Sequence, residues 1–117
     1  MKILVVEDEA SIRKLITVNL IGRGYQVIEA ENGEDAVEKA EIFMPDIIVM
    51  DVNMPKLNGI EATRAIKKKF PGINIIGLSV QDENDVADSM KKAGAVTLIN
   101  KAGDPQHLIE AIMAVGK

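Results

Sequence analysis

Glu7-Asp8-Glu9, Asp51, Ser79 and Lys101 are the residues of this chain whose types fit one piece of chemistry. Carboxylates crowded together repel one another, and their pKa values rise unless a cation neutralises them. Glu7, Asp8 and Asp51 would put two or three such groups within a few ångströms of each other. Their donors are all hard oxygens with no Cys or His nearby, so the cation that suits them is Mg²⁺ or Mn²⁺ rather than zinc. A lysine ammonium and a serine hydroxyl, here Lys101 and Ser79, suit the non-bridging oxygens of a phosphoryl group. An aspartate beside a divalent ion, a lysine and a hydroxyl is a nucleophile for phosphoryl transfer, because the metal offsets charge while the carboxylate attacks phosphorus in line. Each residue alone has a blander reading. Acids after a strand often open a helix against its dipole, an aspartate caps a turn, a serine sits in one, and a lysine is solvated.

Joint placement is what lifts them above those readings, and it depends on the elements that carry them. Short β-branched runs at Ile3 to Val6, Val27 to Ala30, Ile47 to Met50, Ile75 to Leu78 and Val96 to Ile99 read as five strands covered on both faces. Between and after them apolar residues recur at helical spacing: Ile12, Leu15, Ile16, Leu20; Ala36, Val37, Ala40, Phe43; Ile60, Ala62, Ala65, Ile66; Val86, Ala87, Met90; and Leu108, Ile109, Ile112, Val115. Asp104-Pro105 reads as an N-cap followed by proline at the first position of the last helix. The order is (βα) five times, which right-handed crossovers turn into an α/β open doubly wound parallel sheet, a three-layer sandwich over residues 1–117 as a single domain. In such a sheet ligands sit beyond the carboxyl ends of the strands. The first strand runs into Glu7-Asp8-Glu9, the third ends at Asp51, the fourth at Ser79 and the fifth just before Lys101, so all four fall on one edge.

Composition narrows the partners. Eighteen acids against fourteen bases give a net charge of −4, which argues against the positive field needed for nucleic acid. There is no cysteine and one histidine, His107, so thiolate chemistry and multi-histidine metal sites are excluded. Aromatic residues are 3% of the chain, too few for base-stacking platforms. No apolar run approaches a membrane span of ~18 residues, and a cytoplasmic location is the expectation. Lys67-Lys68-Lys69 at the end of the third helix read as dipole partners on a solvated face, and His107 as a surface residue.

The segments LVVEDE at 4–9, IVMDVNMPKLNGIEA at 48–62, GLSVQD at 77–82 and the Lys101 segment together resemble the receiver domains of two-component response regulators, over the whole chain. The resemblance implies strand order 2-1-3-4-5 and a phosphoryl group accepted on Asp51 from a histidine kinase or histidine phosphotransfer protein. It implies Mg²⁺ bound by Asp8, Asp51 and the backbone carbonyl of Asn53, with Glu7 acting mainly through metal-bound water. It also implies that Ser79 and Lys101 hold the phosphoryl oxygens, that Pro55 and Gly59 shape the loop after Asp51, and that Asn53 and Gln81 tune access of water. Such a module is a signalling phosphoacceptor rather than a turnover enzyme. Its expected partners are the phosphodonor, an output domain in a longer chain, and a second copy on phosphorylation, with no direct contact to nucleic acid or membrane. Phosphorylation is expected to re-pose the fourth helix, fifth strand and fifth helix, where Asp88, Lys92, Thr97, Asn100 and Glu110 are candidate partner contacts. Three positions depart from the family pattern: Ser79 stands for the commoner threonine, Leu98 for a frequent aromatic, and Ala102 for a frequent proline after the lysine.

Rival readings are weaker. A flavin module would need amides rather than Glu7-Asp8-Glu9 around a phosphate. A topoisomerase-primase site needs Asp-x-Asp after the third strand, where this chain has Asp51-Val52-Asn53, and a haloacid-dehalogenase phosphatase needs the same motif and more chain. A receiver kept only as a scaffold would not need the full set of acids with Ser79 and Lys101.

Overall fold

Successive side chains of a short β-branched run point to opposite faces of a sheet, and a computed structural model, which describes residues 1–54, 58–79, 84–101 and 105–116, forms strands from these runs. The elements are β1 (Lys2–Val6), α1 (Ala10–Ile21), β2 (Gln26–Ala30), α2 (Gly33–Phe43), β3 (Ile47–Asp51), α3 (Gly59–Lys69), β4 (Asn74–Ser79), α4 (Asn84–Ala93), β5 (Thr97–Asn100) and α5 (Pro105–Val115). The five strands are all parallel, in the order β2-β1-β3-β4-β5. Strand order thus reverses between β1 and β3, which opens a crevice at their carboxyl ends.

Two cores flank the sheet. Ile3, Val5, Ile47, Val49, Ile76 and Leu78 face Leu20 of α1 and Leu108, Ile109 and Ile112 of α5. Leu4, Val6, Ile48, Met50 and Ile75 face Ala36 and Ala40 of α2, Ala62 and Ile66 of α3, and Met90 of α4. The alanines bring those helices close to the sheet, and each large buried aliphatic contributes about 1.5–3 kcal/mol by leaving water. Side-chain caps fix two helix starts: Asn32 accepts from the Asp35 amide at 2.8 Å and Asn58 from the Glu61 amide at 2.9 Å. Gly94, with φ of 118°, turns the chain out of α4 where an L side chain would be strained.

Several apolar positions differ from the sequence reading. Leu15 is 61% exposed and Phe43 39%, and Ala65 also faces solvent. The faces of α1, α2 and α3 that meet the sheet are narrower than the stripes suggest, because one sheet surface covers only about a third of a helix circumference. Val96 is exposed and precedes β5, which runs one residue further, to Asn100. Lys67 closes the turn between α3 and β4, its ammonium donating to the carbonyls of Pro71 at 2.7 Å and Ile73 at 3.0 Å. Lys69 pairs with Glu41 at 3.3 Å. His107 is exposed in the first turn of α5, while Asp104 lies outside the described residues. Among the described residues no helix is long and apolar enough to cross a membrane.

Candidate functional site

Each acidic or basic group at the carboxyl edge of the sheet is placed by a strand end. β1 delivers Glu7, whose amide donates to Ala30 O at 3.1 Å and so extends the β1–β2 pairing by one step. β3 delivers Asp51 as its last residue, opposite Leu78 of β4. Lys101 follows β5, its amide donating to the Ser79 carbonyl at 2.8 Å, so the ladder itself sets the lysine beside β4. Gly59 secures the approach of α3. A Cβ there would run into the Asp51 carbonyl oxygen and come within 2.8 Å of the Val52 Cα, so only glycine lets the helix start this close to the nucleophile candidate.

These placements bring Glu7, Asp8 and Asp51 together, with one carboxylate oxygen from each lying within 4.8 Å of the others. Glu7 and Asp51 are buried whereas Asp8 is exposed. Lys101, with 13% of its side chain exposed, bridges the two buried acids: its Nζ lies 2.9 Å from Glu7 Oε2, 3.1 Å from Glu7 Oε1 and 3.0 Å from Asp51 Oδ1. The Asn53 amide donates to Asp51 Oδ1 at 3.2 Å. Among the described residues Asp51 Oδ2 is buried with no hydrogen-bond donor in place. An orphaned carboxylate oxygen at this depth is costly unless a cation or donor meets it. Oxygen donors alone, one of them orphaned, fit a hard divalent ion such as Mg²⁺.

The electrostatics carry the same tension. Burial, and then the neighbouring Asp51 charge, push the Glu7 carboxyl up to about 7 against the opposing pull of Lys101. Burial raises Asp51 too, although Lys101 and the Asn53 amide oppose it. Burial alone would lower Lys101, but its hydrogen bonds and charge contacts with Glu7 and Asp51 outweigh this and raise it. Between about pH 4.5, the ordinary value for Glu7, and about 7, the folded protein holds a proton that the unfolded chain has released. Stability falls as pH rises wherever the native state binds more protons. In the absence of divalent ions the urea midpoint is therefore expected to decline from about pH 5 to about pH 8, with Mg²⁺ reversing part of the decline. A flat or rising profile with chelator present would show that these carboxylates are not strained.

Ser79 is buried at the end of β4, and its hydroxyl belongs to the same edge. Asn53 is exposed beside Asp51. Pro55, Gln81 and Ala102 lie outside the described residues. Leu98 pairs with Gly77 across β4 and β5, half-buried over the space that the missing Cβ leaves: a side chain at residue 77 would meet Leu98 Cδ1 at 2.7 Å and Met90 Cε at 2.8 Å. Arg13, absent from the sequence candidates, donates to the Glu7 carbonyl at 2.7 Å. Its only signal in the sequence is a base placed one helical turn after three acids.

Comparison with known proteins converges on one family. The family model described as "Response regulator receiver domain" matches residues 3–113. The chemotaxis protein CheY of Thermotoga maritima is 38% identical over 117 residues, covering 99% of this chain and 98% of that protein. The alkaline phosphatase synthesis transcriptional regulatory protein PhoP of Bacillus subtilis is 39% identical over 97% of this chain, which spans only 48% of PhoP. The transcriptional regulatory protein DegU of Brevibacillus brevis is 41% identical, with 39% of its length matched. The chain thus spans nearly all of one relative and less than half of the other two. Among solved structures, the Vibrio cholerae chemotaxis protein CheY4 superposes with a TM-score of 0.92 at 30% identity over 97% of both chains. A chain of the CheX–CheY–BeF3–Mg²⁺ complex of Borrelia burgdorferi superposes with a TM-score of 0.94 at 27% identity, over all of this chain and 90% of that one.

Proposed function

This chain belongs to the response regulator receiver domain family, and from that premise we propose that it accepts a phosphoryl group on Asp51 from a phosphohistidine of a histidine kinase or histidine phosphotransfer protein. The observation that carries the reading is the Asp51 carboxylate itself, buried at the end of β3 with Lys101 at 3.0 Å, an orphaned Oδ2, and Glu7 and Asp8 beside it. Glu7, Asp8, Asp51 and the Asn53 carbonyl would hold Mg²⁺, which supplies charge neutralisation for the carboxylates and the incoming phosphoryl oxygens. An Asp51 oxygen attacks phosphorus as the bond to the donor imidazole nitrogen breaks, and that nitrogen leaves with the electron pair. Lys101 turns from its acidic partners toward the new phosphoryl oxygens, and the Ser79 hydroxyl donates to another of them. Water later cleaves the acyl phosphate, and Asn53, exposed beside Asp51, is placed to tune its approach.

The output step follows from new charge at the edge. A phosphoryl group that recruits Ser79 and Lys101 pulls on the ends of β4 and β5 and re-poses α4, β5 and α5. Asp88, Lys92 and Glu110 are exposed on those elements, while Thr97 and Asn100 are half-buried. With Leu98 over Gly77, a change in aliphatic packing takes the place of a swinging ring. Output through an attached domain or a second copy of the chain draws on this face, and a cytoplasmic setting suits a kinase-coupled module.

Incubation with acetyl phosphate and Mg²⁺ tests the proposal. The wild-type chain is expected to gain the mass of one phosphoryl group, and Asp51→Asn to gain none. Equal modification of both proteins, or none of the wild type, would refute it.

A further inference from the structure

We infer that Arg13 is a positioning residue for the acidic site: its guanidinium clamps the backbone of Glu7 and so sets where the Glu7 and Asp8 carboxylates present themselves to the cation. The inference rests on the Mg²⁺ site proposed above. Arg13 lies in the first turns of α1 with 19% of its side chain exposed. It reaches back over residues 8 and 9 to donate to the Glu7 carbonyl at 2.7 Å, while its Nε meets Glu29 Oε1 at 3.3 Å. Glu29 belongs to β2, and its carbonyl accepts from Lys39 of α2 at 2.5 Å. Lys39 in turn pairs with Asp35 at 3.1 Å.

The consequence is that Glu7 is held on both sides of its Cα. Its amide is tied to Ala30 at the end of β2, and its carbonyl to Arg13. Without the second tie the peptide between Glu7 and Asp8 could rotate, and that rotation would swing the Asp8 carboxylate most. Beyond the Glu7 carbonyl the turn is tied at Glu9, whose carbonyl accepts from the Arg13 amide at 2.9 Å and whose carboxylate accepts from Ser11 Oγ at 3.4 Å, while Glu9 itself makes no side-chain cap bond. A guanidinium presents its donors in a rigid planar fork, so holding the Glu7 carbonyl and the Glu29 carboxylate together fixes the direction of both contacts, whereas a flexible ammonium holds such a pair without that directional constraint.

Charge alone predicts the opposite sign. A guanidinium near a divalent ion repels it, so removing Arg13 would tighten cation binding if electrostatics were its only influence. Loss of an orienting contact weakens metal affinity by about 10- to 100-fold in other sites. The direction of the change therefore separates the two roles, and a merely structural role would leave affinity unmoved.

Mg²⁺ titration of the full chain, followed by calorimetry and by amide shifts of residues 7–9, decides it. Arg13→Met keeps the aliphatic stem and loses the donors, and is expected to raise the Mg²⁺ dissociation constant about tenfold with the fold intact. Arg13→Lys retains one donor and the charge, and is expected to lie between, about threefold weaker than wild type. Wild-type or tighter affinity in Arg13→Met, or in Arg13→Lys should Arg13→Met fail to fold, overturns the clamp while leaving the Mg²⁺ site standing. A wild-type chain that binds no Mg²⁺ overturns both.

Discussion

Lys101→Met is expected to lower the unfolding free energy by about 3 kcal/mol at about pH 8 without divalent ions, because removing one partner of a buried ion pair leaves charge uncompensated. Here the ammonium serves two buried acids, at 2.9 Å from Glu7 Oε2 and 3.0 Å from Asp51 Oδ1. Both carboxyls are already raised by burial, and without Lys101 they rise further. The loss should therefore shrink toward about pH 5, where protonation of Glu7 removes part of the charge that the lysine had balanced. Mg²⁺ at about pH 8 should restore part of the stability by binding only the folded state. Phosphorylation by acetyl phosphate should slow by about 100-fold, the usual loss when one donor to developing oxyanion charge is removed. Urea unfolding at both pH values, with and without Mg²⁺, gives the readout. An unchanged midpoint at the higher pH would mean that the bridge contributes nothing to the metal-free fold.

Asp51→Asn should move stability and function in opposite directions. Asp51 is fully buried and its carboxyl is raised by burial, so ionising it at neutral pH costs the folded state. A neutral amide removes that cost and the repulsion with Glu7, and leaves Lys101 its second partner, Glu7. The metal-free variant is expected to gain on the order of 1 kcal/mol, the scale seen when a strained functional site is relieved. For a chain of this length that is about 4 °C or more in thermal midpoint. The same change should abolish phosphoryl acceptance and weaken Mg²⁺ binding by at least about tenfold, since a ligand is altered directly. A thermal midpoint lower than wild type under chelator would show that the Asp51 carboxylate supports the fold rather than strains it.

Much of this architecture is legible in one dimension. Short β-branched runs separated by helical stripes specify a parallel sheet covered on both faces, and the right-handed crossover rule leaves few topologies. Acids, Ser79 and Lys101 at four strand ends then share an edge by connectivity alone, without any knowledge of side-chain contacts. Exposure of Leu15 and Phe43 was not legible, because a stripe reports which residues could face a core and not how wide the opposing surface is. Gly59 was marked by the family resemblance as shaping the loop after Asp51, but the reason only glycine fits, the Asp51 carbonyl standing where its Cβ would be, needed the structure.

Residue types and their period, then, determined the fold class and the inventory of the site, since covering a parallel sheet on both faces depends only on local pattern, while the strand order came from the family resemblance. The tertiary structure decided how the members of that inventory divide the labour. It buries Glu7 and leaves Asp8 in solvent, joins Lys101 to a glutamate 94 residues away, orphans one oxygen of Asp51 and turns Arg13 back onto the Glu7 carbonyl. Burial and charge coupling arise from neighbours that are remote in the chain, and both act over a few ångströms, a distance that sequence order does not measure.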